Sequence, residues 1–516
     1  MLTALASLTL TGLLLGCGGG GGGDDSGSDD PFVQRTASAN SKAAICAAPR
    51  SGNDPYNGNQ PYPDRQGNID NEKSWVKAFM GDIYLWYREI PNVNAAPYTT
   101  ANYQGSVMYA LDSYFQALKT RQTTTSGKSK DQFSFTYPTD QWDALSQGGI
   151  TVGYGMQIGL LYVESPGKAV IAYSDPNTPA TAASIGRGAE ILAVDGGDVV
   201  LDYDSSTGDY TLNAGLYPSA EGEQHSFTLH DYGASSNRNV TLTAQQVTST
   251  PVQNVHTLDT PSGRVGYMLF NDHIATAEGM LINAVTALGN AGISDLVLDM
   301  RYNGGGYLDI ASELGYMIAG SARTSGKVFE KLSFNDKNPL AQVDGIATPF
   351  HAAAVGFDPS VSSGSSLPSL SLQRLFVLAG PGTCSASEAV INGLRGVNVD
   401  VVLIGDTTCG KPYGFFPTDN CGLSYFAIEF AGVNALGFGD YADGFAPNCA
   451  VDDDLGHALG DPNEALLATA LSYRSNGSCA VTASRAASFD ETHAAREPMK
   501  LLRSPLRENR ILGRPK

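Results

Sequence analysis

Between residues 253 and 480 the sequence alternates short apolar runs with helix-period stretches, and no other feature constrains the fold as strongly. Val265-Gly266-Tyr267-Met268-Leu269-Phe270, Leu296-Val297-Leu298-Asp299-Met300, Leu375-Phe376-Val377-Leu378-Ala379 and Val401-Val402-Leu403-Ile404 are nearly continuous apolar segments, as buried strands require. Residues 276–290, with Met280, Ala284, Ala287 and Leu288, read as a helix, and another opens near Ala386. Buried strands alternating with helices predict an α/β region with a mostly parallel sheet and crossover helices. In such sheets ligands gather outside the carboxyl ends of the strands. Loops 301–306, 381–385 and 405–411 all fall at those ends, which predicts one site built from three loops.

The other regions have different patterns. A chain of 516 residues holds about three domains at ~150 residues each. Residues 72–142 carry Trp75, Phe79, Ile83 and Trp86, then Val107, Leu111, Phe115 and Leu118, near helical spacing, and predict a small helical domain. Residues 147–250 read as short β-branched strands between Gly, Asp and Asn turns. Within them, Thr178 to Ile185 and Gly188 to Gly196 resemble the short helix, following strand and closing Asp-Gly turn of a PDZ domain. The usual Gly-Asp before that strand is Gly188-Ala189 here. Such a domain binds an extended peptide as an added strand and captures its terminal carboxylate on backbone N–H groups, for which Gly153, Tyr154 and Gly155 are the candidates.

Residues 1–16 are almost wholly apolar or small and end before Cys17, which resembles a bacterial lipoprotein signal with Cys17 as the lipidated residue. No Lys or Arg precedes the apolar stretch, as expected of a chain whose true start lies upstream. Gly18 after the cysteine favours outer-membrane sorting by analogy. Residues 17–71, rich in Gly, Asp, Ser, Asn and Pro, read as tether and linker. A lipid anchor at Cys17 and a cell-envelope location, at the outer membrane or facing the periplasm, are the expectation. The net charge of −20 argues against a nucleic-acid partner. Residues 481–516 reverse that sign, with eight basic and four acidic residues, and predict a solvated, poorly ordered tail.

Six cysteines remain besides Cys17, which suggests disulfides in an exported chain, with fifteen possible pairings. Cys409 with Cys421 is the short-loop pair expected among them. The spacings are not those of a zinc site, and no metal or cofactor is expected.

Thr383-Cys384-Ser385-Ala386-Ser387-Glu388 and Gly410-Lys411 carry the chemistry. Taken alone, Ser385-x-x-Glu388 is a helix-capping box. Together with Arg301-Tyr302-Asn303-Gly304-Gly305-Gly306 after an apolar strand, and with the PDZ-like region ahead, the set resembles the C-terminal processing peptidases, or tail-specific proteases, across about 72–470. Tyr84-Leu85-Trp86-Tyr87 and Asp131-Gln132-Phe133-Ser134 resemble their exported lipoprotein branch. The resemblance implies a ClpP/crotonase-like α/β core over 253–480 that acts as a serine endopeptidase on protein or peptide substrates. Ser385 is then the nucleophile, Lys411 the general base, and Gly304 or Gly305 with Ala386 the oxyanion donors.

A hydroxyl needs a base to become a nucleophile, and a lysine serves only when neutral, which desolvation promotes. Tyr413, Phe415 and Phe416 are candidates for the apolar wall. Two positions depart from the family pattern. Phe415 replaces a glutamine that orients the lysine, and Gly396 replaces an acidic residue. His273 and His351 are the fallback bases, and a peptide-binding scaffold without turnover is the rival function. A retinoid- or lipid-binding use of the same fold has only fold analogy behind it.

Overall fold

The computed structural model describes residues 37–162, 164–204, 209–343, 346–479 and 499–502. The apolar leader, Cys17 and the glycine run lie outside the described residues. Among the described residues no helix is long and apolar enough to cross a membrane.

The helical region opens with Ile69–Ile83, started by Asn68, whose side chain accepts from the N–H groups of Asp70 and Asn71 at 3.0 and 3.1 Å. Its inner stripe of Trp75, Val76, Phe79, Met80 and Ile83 packs with Leu111, Tyr114 and Phe115 of the Val107–Ala117 helix. That core is completed from far along the chain. Leu423, Tyr425, Ala427 and Ile428 belong to it, and the ring of Tyr425 lies 5.0 Å from that of Trp75. The strands Phe135–Pro138 and Leu423–Phe426 pair antiparallel, so the helical region and the α/β region share a sheet as well as a core.

The PDZ-like region is an antiparallel sheet in the order Arg238–Thr243, Gln224–His230, Glu190–Val194, Lys168–Ser174, Met156–Tyr162, Lys500–Leu502. Thr178 caps the Pro179–Ala182 helix, with Pro at its first position, where a missing N–H costs nothing. Gly153, Tyr154 and Gly155 immediately precede the Met156–Tyr162 strand. Tyr154 is buried and its hydroxyl donates to the Gly215 carbonyl at 3.1 Å. Gly155 has φ +76°, and a Cβ there would lie 2.3 Å from Thr178. Both facts require glycine.

The core of the α/β region is a six-stranded sheet in the order Val252–Thr260, Gly263–Phe270, Asp295–Asp299, Arg374–Ala379, Asp400–Gly405, Cys449–Ala450. Only the first pair is antiparallel. Helices Ala277–Asn290, Leu308–Ala319 and Ala386–Gly396 cover one face, and Ala465–Asn476 the other. The expected parallel α/β sheet is therefore present, and the chain is a multi-domain α/β protein.

Two expectations are corrected. Cys409 and Cys421 are not bonded to each other. Cys384 pairs with Cys409, Cys46 with Cys421, and Cys449 with Cys479. Cys421 sits in the turn between two strands that pack on the helical region, where the buried Cys46, in the short strand Ile45–Cys46, reaches it. The basic tail departs from a solvated segment at Lys500–Leu502, because these residues join the PDZ-like sheet and bury Leu501 and Leu502. The remainder of 480–516 lies outside the described residues.

Candidate active site

The carboxyl ends of the Asp295–Asp299 and Arg374–Ala379 strands bring two loops together. Arg301 does not face that junction. Its guanidinium, 3% exposed, donates to Asp299 at 2.9 Å, Glu464 at 2.8 Å and Asp453 at 2.8 Å. Arg187 of the PDZ-like region adds a 2.7 Å bond to Asp453. Against the upward push of burial, Arg187 and Arg301 hold the Asp453 carboxyl below its usual range. The arginine of the glycine motif is thus the anchor that fixes where the loop begins.

Asn303 holds the loop in shape. Its Nδ2 donates to the Phe270 carbonyl at 3.0 Å, and its Oδ1 accepts from the Gly305 N–H at 3.0 Å and faces His273 Nδ1 at 3.0 Å. Its own carbonyl accepts from the Cys384 N–H at 3.0 Å and the Ser387 hydroxyl at 3.0 Å. Fully buried, Asn303 therefore satisfies the glycine loop and the serine loop together. A Cβ on Gly305 would meet Ser385 Cβ at 2.8 Å and Ala386 N at 2.9 Å, so the loops touch backbone to backbone and only glycine fits.

Ser385 stands between the Arg374–Ala379 strand and the Ala386–Gly396 helix with φ +57° and ψ −117°. A non-glycine residue there is strained by ~1–3 kcal/mol, the kind of conformation that surrounding structure must hold in place. Thr383 supports it, accepting from the Gly380 N–H at 3.0 Å and donating to the Met300 carbonyl at 2.9 Å. Ala386 opens the helix, so its N–H belongs to the first turn, which lacks intrahelical acceptors.

Glu388 does more than cap that helix. Its buried carboxylate accepts from the Ser385 N–H at 3.1 Å, Thr408 Oγ1 at 2.5 Å, the Gly410 N–H at 2.9 Å and the Lys411 N–H at 2.8 Å. Burial pushes this carboxyl up, while those bonds pull it back. The serine and lysine loops are joined a second time by the Cys384–Cys409 bond, with Cα atoms 5.2 Å apart.

Lys411 is 8% exposed, and its Nζ lies 4.2 Å from the centre of the Phe415 ring and 5.5 Å from that of Phe133. Phe415 therefore occupies part of the expected apolar wall. Tyr413 packs instead on Trp86, and Phe416 on Phe430. Phe133, from the helical region, is a neighbour the motif gave no reason to expect. Gly396 ends the helix, where a Cβ would lie 2.9 Å from Asn434, so no acidic side chain fits there.

The two histidines sit elsewhere. His273 is wholly buried behind the glycine loop, and burial pushes its imidazole down to about 3. His351 Nε2 faces Asp309 Oδ1 at 2.8 Å.

Residues 264–417 match the model of peptidase family S41. The chain is 29% identical over 283 residues to a chloroplastic C-terminal processing peptidase of Tetradesmus obliquus, covering 52% of this chain and 53% of that one. It is 26% identical over 274 residues to a carboxyl-terminal-processing protease of a Picosynechococcus strain, covering 52% and 56%. The chain thus spans about half the length of the curated relatives it matches. Among solved structures, a candidate S41 protease of Bacteroides fragilis superposes with a TM-score of 0.58 at 24% identity, over 80% of this chain and 98% of that one. That likeness shows a common fold.

Proposed function

We propose that this chain is a serine endopeptidase of the C-terminal processing type, with Ser385 as nucleophile and Lys411 as general base on a ClpP/crotonase-like core. The observation that carries the reading is the strained Ser385 at a helix N-terminus, tied through Glu388 and Cys384–Cys409 to the loop that bears Lys411.

In this reading the Lys411 amine takes the Ser385 proton as Oγ adds to the scissile carbonyl. The oxyanion that forms is met by the Ala386 N–H, where the helix dipole adds to the donor, and by the Gly304 N–H. Gly305, whose N–H already donates to Asn303, contributes by allowing the loops to touch. The lysine then returns the proton to the departing amine, and water hydrolyses the acyl-serine with the same pair acting again.

The PDZ-like region presents substrate tails, with Gly153, Tyr154 and Gly155 as the candidates for holding the terminal carboxylate. The three disulfides among the described residues suit an oxidising compartment, which supports export to a cell envelope; lipidation at Cys17 rests on the sequence resemblance alone. A second reading, a peptide-binding scaffold without turnover, draws on Phe415 in place of an orienting glutamine. Digestion of an unstructured protein by wild type beside Ser385→Ala and Lys411→Ala separates the two. Cleavage by wild type alone supports the peptidase, and cleavage by none supports the scaffold.

A further inference from the structure

The edge of the PDZ-like sheet beside Met156–Tyr162 is already filled, and the filler is this chain. Lys500 pairs with Leu160, Leu501 with Gly159 and Leu502 with Ile158, antiparallel. The segment therefore runs toward Gly155, Tyr154 and Gly153, the direction a peptide would take to place its carboxylate there. Gln157 Nε2 donates to the Leu502 carbonyl at 2.6 Å.

The side chains occupy both faces of the added strand. Leu502, 1% exposed, enters the core that holds Ile158, Ala180 and Ile185, next to the Pro179–Ala182 helix. Leu501, on the opposite face, joins the core that contains Ala172 and Tyr302. A Cβ on Gly382 would lie 2.7 Å from Leu501 Cδ1, so Leu501 rests against the loop that leads into Ser385. Met499 crosses Gly159, where a Cβ would lie 2.2 Å from its sulfur. Three paired residues and two buried leucines make a modest interaction, the kind a better-matched strand displaces.

We propose that Met499–Leu502 is an internal occupant of the peptide edge of the PDZ-like region, and that apolar-ended peptides reach this edge only by displacing it. The inference rests on the reading of that region as a binder of substrate tails. A covalently attached competitor acts at an effective concentration independent of protein concentration. It lowers the apparent affinity for any peptide by the fraction of molecules whose edge is open. Because Leu501 touches the loop before Ser385, the occupied and open edges also present that loop with different neighbours. Peptides that replace the segment should carry an apolar residue at the Leu502 position, since that pocket is part of the PDZ-like core.

The test uses the full chain with Ser385→Ala, to prevent turnover, and a fluorescent decapeptide ending in Leu-Leu with a free carboxylate. Adding Leu501→Ser and Leu502→Ser should tighten peptide binding by about tenfold. Equal or weaker binding overturns the proposal. Peptide bound by neither protein overturns both the proposal and the tail-binding reading, while leaving the peptidase reading to its own assay. Should the leucine variant fail to fold, hydrogen exchange on the chain carrying Ser385→Ala alone decides. Saturating peptide should speed exchange over the Lys500–Leu502 segment, whose alternate amides face Met156–Tyr162, and leave the Met156–Tyr162 amides protected. Unchanged exchange over Lys500–Leu502 with peptide bound rejects displacement.

Discussion

Cys384 and Cys409 are bonded, so the residue before Ser385 is fixed to a point two residues before Lys411. Glu388 spans the same gap through the Ser385 and Lys411 N–H groups. Two links of different chemistry therefore hold the reacting pair of the proposed mechanism, and only one of them answers to reductant.

Reduction of that bond, or Cys384→Ser with Cys409→Ser, should lower kcat by about tenfold or more by loosening the pair. The closed loop is short enough that stability should fall by about 3 kcal/mol. Activity and thermal melting of the double variant, compared with wild type, measure both. Unchanged kcat in a destabilised variant would make the bond purely structural.

The two serines of the motif should separate cleanly. Ser385→Ala should lose about 10³-fold or more in kcat with folding intact. Ser387 is buried and donates to the Asn303 carbonyl, so Ser387→Ala should cost about 1 kcal/mol of stability and leave kcat within about tenfold. Steady-state kinetics with melting curves distinguish these outcomes, and an essential Ser387 would move the nucleophile.

Lys411→Arg should be inactive even though the charge is kept, because a guanidinium cannot give up its proton. Phe415→Gln introduces an amide beside the lysine and removes an aromatic neighbour of Nζ, so its pH–rate profile should shift from wild type. An active Lys411→Arg enzyme would remove the lysine from the mechanism. His273, held neutral behind the glycine loop, would be a poor replacement.

Glu330 gives a pH signature unconnected with catalysis. Burial pushes its carboxyl up to about 8, while the unfolded chain titrates near 4.3. The folded state therefore keeps a proton the unfolded state loses. The resulting stability is fully present below the unfolded value and is lost as pH rises through about 8, at ~1.4 kcal/mol per pH unit for one group. Glu330→Gln should flatten that decline between pH 5 and 8 in calorimetry. Parallel curves for the two proteins would show that Glu330 does not drive it.

The strands of the core and the three loops at their ends were readable because burial on both faces leaves a local apolar run at each of the four segments. Asn303, which ties the glycine loop to the serine loop, was not singled out, since its role lies in partners contributed by Phe270, His273, Cys384 and Ser387. Glu388 looked like a helix cap and is one, but its bonds to Thr408, Gly410 and Lys411 come from another strand end. The disulfides failed for the same reason. Cys46 and Cys421 meet across a separation of 375 residues, and nothing in the spacing announces it. Local patterns encode elements, whereas bonds between distant loops are written only in the fold.

The shared core of the helical region sets the order in which the chain can be completed. Trp75, Phe79 and Phe115 emerge early in synthesis, yet Tyr425 and Ile428, which close over them, emerge roughly 300 residues later. At ~5–20 residues per second, that leaves an aromatic surface uncovered for roughly 15–60 s. Until then Trp75, Phe79 and Phe115 have only their own segment's partners to cover them. A version cut before residue 423 would carry that exposed surface permanently.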